Sequence, residues 1–139
     1  MCNCNLPSCL SNTCSPYYEK VFYRSAHMIT TTVYNGSWKQ DTSYTDLFLD
    51  PKLCNKVGKY TETFFKSTDG GVYLFTGNLC LNDSSQSFIS FQDNNIYYPN
   101  KNIFTEPVVA SGGKYLGKKG VVKTLLGEQI VKHVYFTKK

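Results

Sequence analysis

Four of the six cysteines lie within the first fourteen residues, at Cys2, Cys4, Cys9 and Cys14, in the pattern C-x-C-x4-C-x4-C. Four thiolates can complete a tetrahedral zinc site, but structural zinc sites favour C-x2-C or C-x4-C pairs separated by a loop, which this pattern matches poorly. We therefore expect no cofactor and keep zinc at these four cysteines as an alternative. Three other interpretations of these cysteines stay open. They could form disulfides, including pairs with Cys54 or Cys80, they could be inert thiols, or they could be S-acylated.

Glu62 is the candidate for acid–base chemistry. It alternates with Tyr60 and Phe64, so the three side chains would share one face of a strand. If that face lines a cavity, Glu62 could donate or accept a proton, whereas on the outer face it would be a hydrated surface carboxylate. His27 and His133 could each act as a general acid or base, since an unperturbed imidazole titrates near neutral pH, but neither lies in a recognisable motif. Because no G-x-S-x-G, P-loop or H-E-x-x-H sequence occurs, whether the chain is an enzyme stays open.

The elements that must position these residues are strands. The chain has 139 residues, about the length of one domain, and its 41% hydrophobic content against 18% charged residues excludes a disordered tail. It contains 11 Tyr and 9 Phe, whereas alanine occurs only at Ala26 and Ala110. Aromatic and β-branched side chains favour pleated sheets, so the composition predicts an all-β protein.

Turn signals divide the chain into eight predicted strands. We place them at 17–24, 27–34, 57–66, 72–81, 86–93, 103–110, 119–126 and 129–137. We interpret residues 37–53 as a long loop with one short turn of helix, because Asp50-Pro51 interrupts the segment. Eight short antiparallel strands favour a closed barrel that can hold one small ligand. The predicted organisation is a Cys-rich N-terminal arm over residues 1–16 and a β-barrel domain over residues 17–139.

A glycine motif, G-x-[FY]-x-G-x-x-G-x-V, runs through Gly113, Tyr115, Gly117 and Gly120. We expect Gly113 to permit a positive φ, Tyr115 to plug one end of the barrel, and Gly117 and Gly120 to let the chain bend sharply. This spacing resembles the motif of the allene oxide cyclase and dirigent proteins, and residues 71–77 and 86–91 are similar to central strands of that superfamily.

The resemblance extends from Lys56 to Lys139. It implies a lipocalin-like, eight-stranded antiparallel β-barrel, commonly a trimer, with an apolar cavity. Ala110 and Ser111 replace the first two glycines of the family motif, and the Cys-rich arm has no counterpart in it. None of the family's acidic or cavity residues can be placed on this chain, so the resemblance carries over the fold and not a reaction.

The predicted function is binding of a small apolar or aromatic ligand in the barrel cavity, with or without catalysis. A pocket lined by aromatic and aliphatic side chains would be its signature. The candidate ligand-binding residues are Tyr60, Phe64, Tyr73, Phe75 and Tyr115. The alternative is a structural or interaction protein, such as a component of a viral or protist assembly, that is anchored through the Cys-rich arm.

The net charge of +5 is concentrated near the C-terminus. Arg24 is the only arginine, and recognition of phosphates and bases relies heavily on arginine, so nucleic acid is an unlikely partner. We interpret the lysines instead as a solvated strand face. They are Lys114, Lys118, Lys119, Lys123, Lys132, Lys138 and Lys139. No apolar run approaches the roughly 20 residues of a membrane span, and no signal peptide is apparent, so we expect a cytoplasmic or virion-associated protein.

Overall fold

The computed structural model describes residues 17–68, 72–96 and 102–137, and in these ranges the chain is almost entirely β-structure. The strands are β1 (Tyr17–Ser25), β2 (Ile29–Asn35), β3 (Trp38–Phe48), β4 (Lys56–Ser67), β5 (Val72–Leu81), β6 (Phe88–Ile96), β7 (Ile103–Gly112), β8 (Lys119–Leu125) and β9 (Gln129–Thr137). A single-turn 3-10 helix, Gly113–Tyr115, connects β7 to β8. Within the described ranges, no helix is long and apolar enough to cross a membrane.

Eight of the nine strands close an antiparallel barrel. The sheet order is β1-β9-β8-β7-β6-β5-β4-β3-β2, and a pairing between β1 and β3, with Tyr23 opposite Phe48, closes the ring. β2 lies outside this ring, because it pairs only with β3. The predicted eight-stranded antiparallel barrel is therefore confirmed.

The prediction of a loop over residues 37–53 is wrong, because Trp38–Phe48 is a full barrel strand. Its register with β4 places Asp41 opposite Phe64 and Ser43 opposite Glu62, so β3 presents polar side chains to the interior. The strand therefore lacks the alternation of apolar and polar residues that normally reveals one. Asp50-Pro51 lies after the strand, in the turn where the Asp50 carboxylate accepts a hydrogen bond from the backbone N–H of Asn55.

The prediction that the second strand, at 27–34, belongs to the barrel is also wrong. The segment at 27–34 corresponds to β2, which was counted as a barrel strand but is an outer strand exposed along its whole length. Because β3 takes the place in the barrel that had been given to β2, the number of barrel strands is eight as predicted, although one member differs.

The barrel interior is filled by alternate side chains from all eight strands. The largest fully buried apolar side chains include Phe22, Leu47, Tyr60, Phe91, Tyr115 and Phe136. Tyr115 lies at the end of the barrel where β7 passes into β8, and its ring stacks on Phe136 with 5.2 Å between ring centroids. The Tyr115 ring therefore fills part of this end of the barrel, where a small pocket of about 110 Å³ remains beside Phe22 and Lys114.

The motif glycines have two different structural roles. Gly113 and Gly117 adopt φ values of +62° and +76°, the left-handed region that glycine enters without steric cost. Gly120 instead lies within β8, where a Cβ would be 1.8 Å from the carbonyl oxygen of Tyr135 in β9. Gly120 therefore permits close approach of two strands, and the sharp bend expected there stays a prediction.

We expect Gly120→Ala to lower the free energy of unfolding by about 1–3 kcal/mol, because the added methyl group must push apart two hydrogen-bonded strands. Urea denaturation followed by circular dichroism measures this loss. Gly127→Ala is the matched control, since the nearest atom to a Cβ there is 3.6 Å away. Equal stability of the two variants would contradict this account of Gly120.

Candidate functional site

A cavity of about 260 Å³ lies inside the barrel, toward the end where β8 turns into β9. Its lining divides into apolar walls and a charged floor. The walls are Phe64, Phe75, Phe104 and Leu126, and the floor consists of Arg24, Glu62, Glu106, Thr124 and Lys132. Along β4, Phe64 is nearer than Glu62 to the strand end at Ser67, which places the carboxylate deeper in the barrel.

Strand alternation carries the floor residues into the interior. In β9, Lys132 alternates with Ile130, Val134 and Phe136, all of which are buried, and Lys132 itself is only 2% exposed. The interpretation of Lys132 as part of a solvated lysine face is therefore wrong. His133 is on the opposite face, where its Nε2 lies 3.5 Å from the Glu19 carboxylate.

Glu62 is held by Tyr60 and lies close to Arg24. The Tyr60 hydroxyl donates a hydrogen bond of 2.7 Å to Glu62 Oε1, and Arg24 Nη2 lies 3.9 Å from the same oxygen. Burial raises the pKa of Tyr60 well above its usual value, and the charge of Glu62 adds to this shift. Tyr60 therefore stays protonated and acts as a hydrogen-bond donor at neutral pH.

Lys132 lies among hydroxyl groups and aromatic rings. Its Nζ donates hydrogen bonds of 3.2 Å to the Tyr60 hydroxyl and 3.0 Å to Thr124 Oγ1. The same nitrogen is 4.5 Å from the ring centroid of Tyr60 and 5.2 Å from that of Phe91. Burial lowers the pKa of Lys132 to about 7, and the nearby charge of Arg24 acts in the same direction. The surroundings of Lys132 therefore favour the free amine more than those of an exposed lysine do.

Glu106 completes the floor from β7. Its side chain is buried, and burial raises the pKa of its carboxyl to about 7 against the opposing influence of Lys132, with Asp93 and Glu62 raising it further. A carboxyl and an amine that both titrate near neutral pH in one cavity can exchange protons with a bound molecule. The floor is chemically equipped for proton transfer as well as for binding polar groups.

The predicted site residues are distributed over both ends of the barrel. Glu62, Phe64 and Phe75 line the cavity, and Tyr60 contacts the floor through Glu62 and Lys132. Tyr115 is packed at the opposite end and is not part of the lining, so its prediction as a ligand-binding residue is not matched by its position. The side chain of Tyr73 and the predicted metal ligands Cys2, Cys4, Cys9 and Cys14 lie outside the described residues.

Sequence reasoning missed most of the floor. Arg24, Glu106, Thr124 and Lys132 were not predicted as site residues, yet all four are buried in the cavity. The available signal was alternation: Arg24 shares a strand face with Phe22, and Glu106 shares one with Phe104 and Val108. Charged residues are rarely buried without a partner. A charged residue on an otherwise apolar strand face, such as Arg24 or Glu106, could therefore have been predicted as a site residue.

The described residues contain no group of three His, Cys, Asp or Glu side chains that could hold a metal ion. The two cysteines in this part of the chain differ from each other. Cys54 is disulfide-bonded, whereas Cys80 is an exposed free thiol whose pKa is raised by partial burial. Cys80 therefore does not take part in the pairing that had been considered for it.

No family model and no curated protein sequence matches the chain. Solved structures do match it in fold. A pterocarpan synthase dirigent protein superposes with a TM-score of 0.63 at 13% identity, covering 88% of each chain. A second one has a TM-score of 0.59 at 14% identity, covering 88% of this chain and 95% of the other. A pyocyanin demethylase superposes with a TM-score of 0.60 at 12% identity, covering 86% of this chain and all of the other. The resemblance seen in the sequence is confirmed at the level of fold: the chain has a β-barrel fold similar to that of the dirigent proteins.

Proposed function

We propose that the barrel binds a small organic molecule that has an apolar or aromatic body and a polar head group. This proposal rests on the division of the cavity lining into an apolar part and a charged part. The walls are Phe64, Phe75, Phe104 and Leu126, and the floor consists mainly of charged side chains. Pockets of this kind gain affinity from apolar contact and orientation from a few polar groups. The ligand body would pack between the aromatic walls while its head group meets Arg24 and Lys132.

The barrels of similar fold support a ligand-binding role. Two of them are pterocarpan synthases and one is a pyocyanin demethylase, so each is named for an organic compound that it forms or alters. The low identity to these proteins gives no reason to assign their compounds to this chain. The shape and chemistry of the cavity therefore define the ligand class proposed here.

The fluorescent dye 8-anilinonaphthalene-1-sulfonate, which combines an aromatic body with an anionic head, tests this proposal directly. We expect one saturable site on the full chain and about a tenfold loss of affinity in Phe104→Ala, since removal of the ring gives up roughly 1–2 kcal/mol of apolar contact. Val109→Ala is the control, because Val109 lies on the same strand but is 55% exposed. The absence of saturable binding, or equal loss in both variants, would contradict the proposal.

The trimer implied by the resemblance is part of the same proposal and remains a prediction. Native mass spectrometry of the untagged protein measures the oligomeric state, and the same spectrum reports any retained organic ligand. A trimer that carries one small adduct per chain is the expected result, whereas a ligand-free monomer would favour the alternative of a structural or interaction protein.

A further inference from the structure

We propose that Lys132 forms a reversible imine with the carbonyl group of an aldehyde or ketone bound in the cavity. This inference rests on the proposed function, because the carbonyl would be the polar head group of the ligand. It assigns a chemical role to a buried lysine that apolar packing of the barrel does not require.

Lys132 belongs to the lining of the cavity, and its amine is held in one place there. Nζ is fixed by two neutral hydroxyl groups, those of Tyr60 and Thr124, at 3.2 Å and 3.0 Å. Among the described residues, Lys132 forms no ion pair with a carboxylate. Lys132 is only 2% exposed and belongs to the cavity lining, so a molecule has to enter the cavity to reach its amine.

An amine attacks a carbonyl only as the free base, and the surroundings of Lys132 favour that form. Desolvation and a neighbouring cation are the two established ways to make a lysine nucleophilic at neutral pH. Both operate here, since burial and the charge of Arg24 lower the pKa of Lys132 to about 7.

The other charged and titratable groups that face Lys132 come from two strands. Glu62 of β4 and Glu106 of β7 favour the ammonium form, and Tyr60 of β4 is the hydroxyl partner. The carboxyl of Glu106 is itself under the influence of Asp93 on β6. Burial is the largest influence on Lys132, and together with the charge of Arg24 it lowers the pKa against the opposing effect of these two carboxyl groups.

Glu106 supplies the acid that imine formation needs. The lone pair of Nζ forms a C–N bond to the carbonyl carbon while the C=O π pair moves to oxygen, and one proton passes from nitrogen to that oxygen. The protonated carboxyl of Glu106 then donates its proton to the hydroxyl group, the C–O bond breaks, and water leaves as the nitrogen lone pair completes C=N. The product is a protonated imine opposite the Glu106 carboxylate, with water as the only by-product and no change of oxidation state.

Reductive trapping with benzaldehyde and sodium cyanoborohydride at pH 7 tests the inference on the full chain. We expect one dominant benzyl adduct, located at Lys132 by peptide mapping, to form at least about tenfold faster than any adduct at an exposed lysine with an ordinary pKa. Lys132→Met should abolish the dominant adduct, whereas Lys119→Met, which removes an exposed lysine of β8, should leave it unchanged. Mapping of the unmodified sequence decides the question even if Lys132→Met fails to fold.

Two negative outcomes are distinguishable. If benzaldehyde displaces the naphthalene dye but labelling is spread over exposed lysines with none at Lys132, the imine inference is overturned and the ligand-binding proposal stands. If neither dye nor benzaldehyde binds in the cavity, the proposed function fails and the inference fails with it.

Discussion

Replacing Phe91 with alanine is expected to lower the free energy of unfolding by about 3–5 kcal/mol, the usual cost of removing a buried aromatic ring. Phe91 is fully buried in β6, and its ring centroid lies 6.3 Å from that of Tyr60 and 5.8 Å from that of Phe75. It also covers Gly77, where a Cβ would come within 2.4 Å of the ring. The ring therefore fills space that no neighbouring side chain occupies, and its loss leaves a cavity beside Lys132.

Urea denaturation monitored by near-ultraviolet circular dichroism measures this loss. Phe65→Ala is the matched control, since Phe65 is 36% exposed on the outer face of β4 and should cost about 1 kcal/mol or less. Phe91→Leu keeps part of the packing and should fall between the two. A loss in Phe91→Ala no greater than that in Phe65→Ala would show that the interior around Phe91 is not packed as described.

The barrel could be predicted from the sequence because most of its strands carry a clear pattern. Frequent turn signals, few helix formers and alternating apolar residues identified seven of the eight strands that close the ring. β3 was not predicted as a strand because its interior positions include the polar residues Asp41 and Ser43. Judged by hydropathy alone, such a segment is typical of a loop. Its pairing with β4 and β1, rather than its own composition, makes this segment a strand.

The site could be predicted only in part, because alternation shows which residues share a face but not which face is inside. In β4, the face of Tyr60, Glu62 and Phe64 was identified, and the structure places it in the interior. In β9, both faces contain apolar residues, so Lys132 could be assigned to either one. The decision depends on closure of the barrel, which brings strands far apart in sequence to one cavity.

The stability of the protein should pass through a minimum near pH 7, because Glu106 and Lys132 titrate in opposite senses on folding. The pKa of Glu106 is raised from 4.5 to about 7, so between these values the folded state binds a proton that the unfolded state has released. Stability therefore falls as pH rises through this window. The pKa of Lys132 is lowered from 10.5 to about 7, so above pH 7 the unfolded state binds more protons and stability rises with pH.

Asp41, Asp83, Tyr60 and Cys80, whose pKa values are also shifted, act mainly outside the window from pH 4.5 to 9. Hydrogen bonds and charges lower the pKa values of Asp41 and Asp83, whose contributions to stability are lost only in more acidic solution. Burial raises the pKa values of Tyr60 and Cys80, which reduces stability in more alkaline solution. The scan should therefore cover pH 4.5 to 9, where Glu106 and Lys132 account for the curvature.

Urea denaturation across this pH range measures the free energy of unfolding at each pH. Repeating it in two variants separates the two limbs of the profile, the fall below pH 7 and the rise above it. Glu106→Gln should remove the fall in stability between pH 4.5 and 7, and Lys132→Met should remove the rise above pH 7, each limb being on the order of a few kcal/mol. Glu128→Gln, at an exposed glutamate, should leave the whole profile unchanged. A flat profile, or one that responds equally to all three substitutions, would contradict the burial of these two titrating groups.

A buried cation is costly to maintain, because it has lost its hydration. Lys132→Met should therefore have a larger free energy of unfolding than the unmodified protein at pH 6 and below. A buried lysine with that cost is better explained by the chemistry of the cavity than by the stability of the barrel.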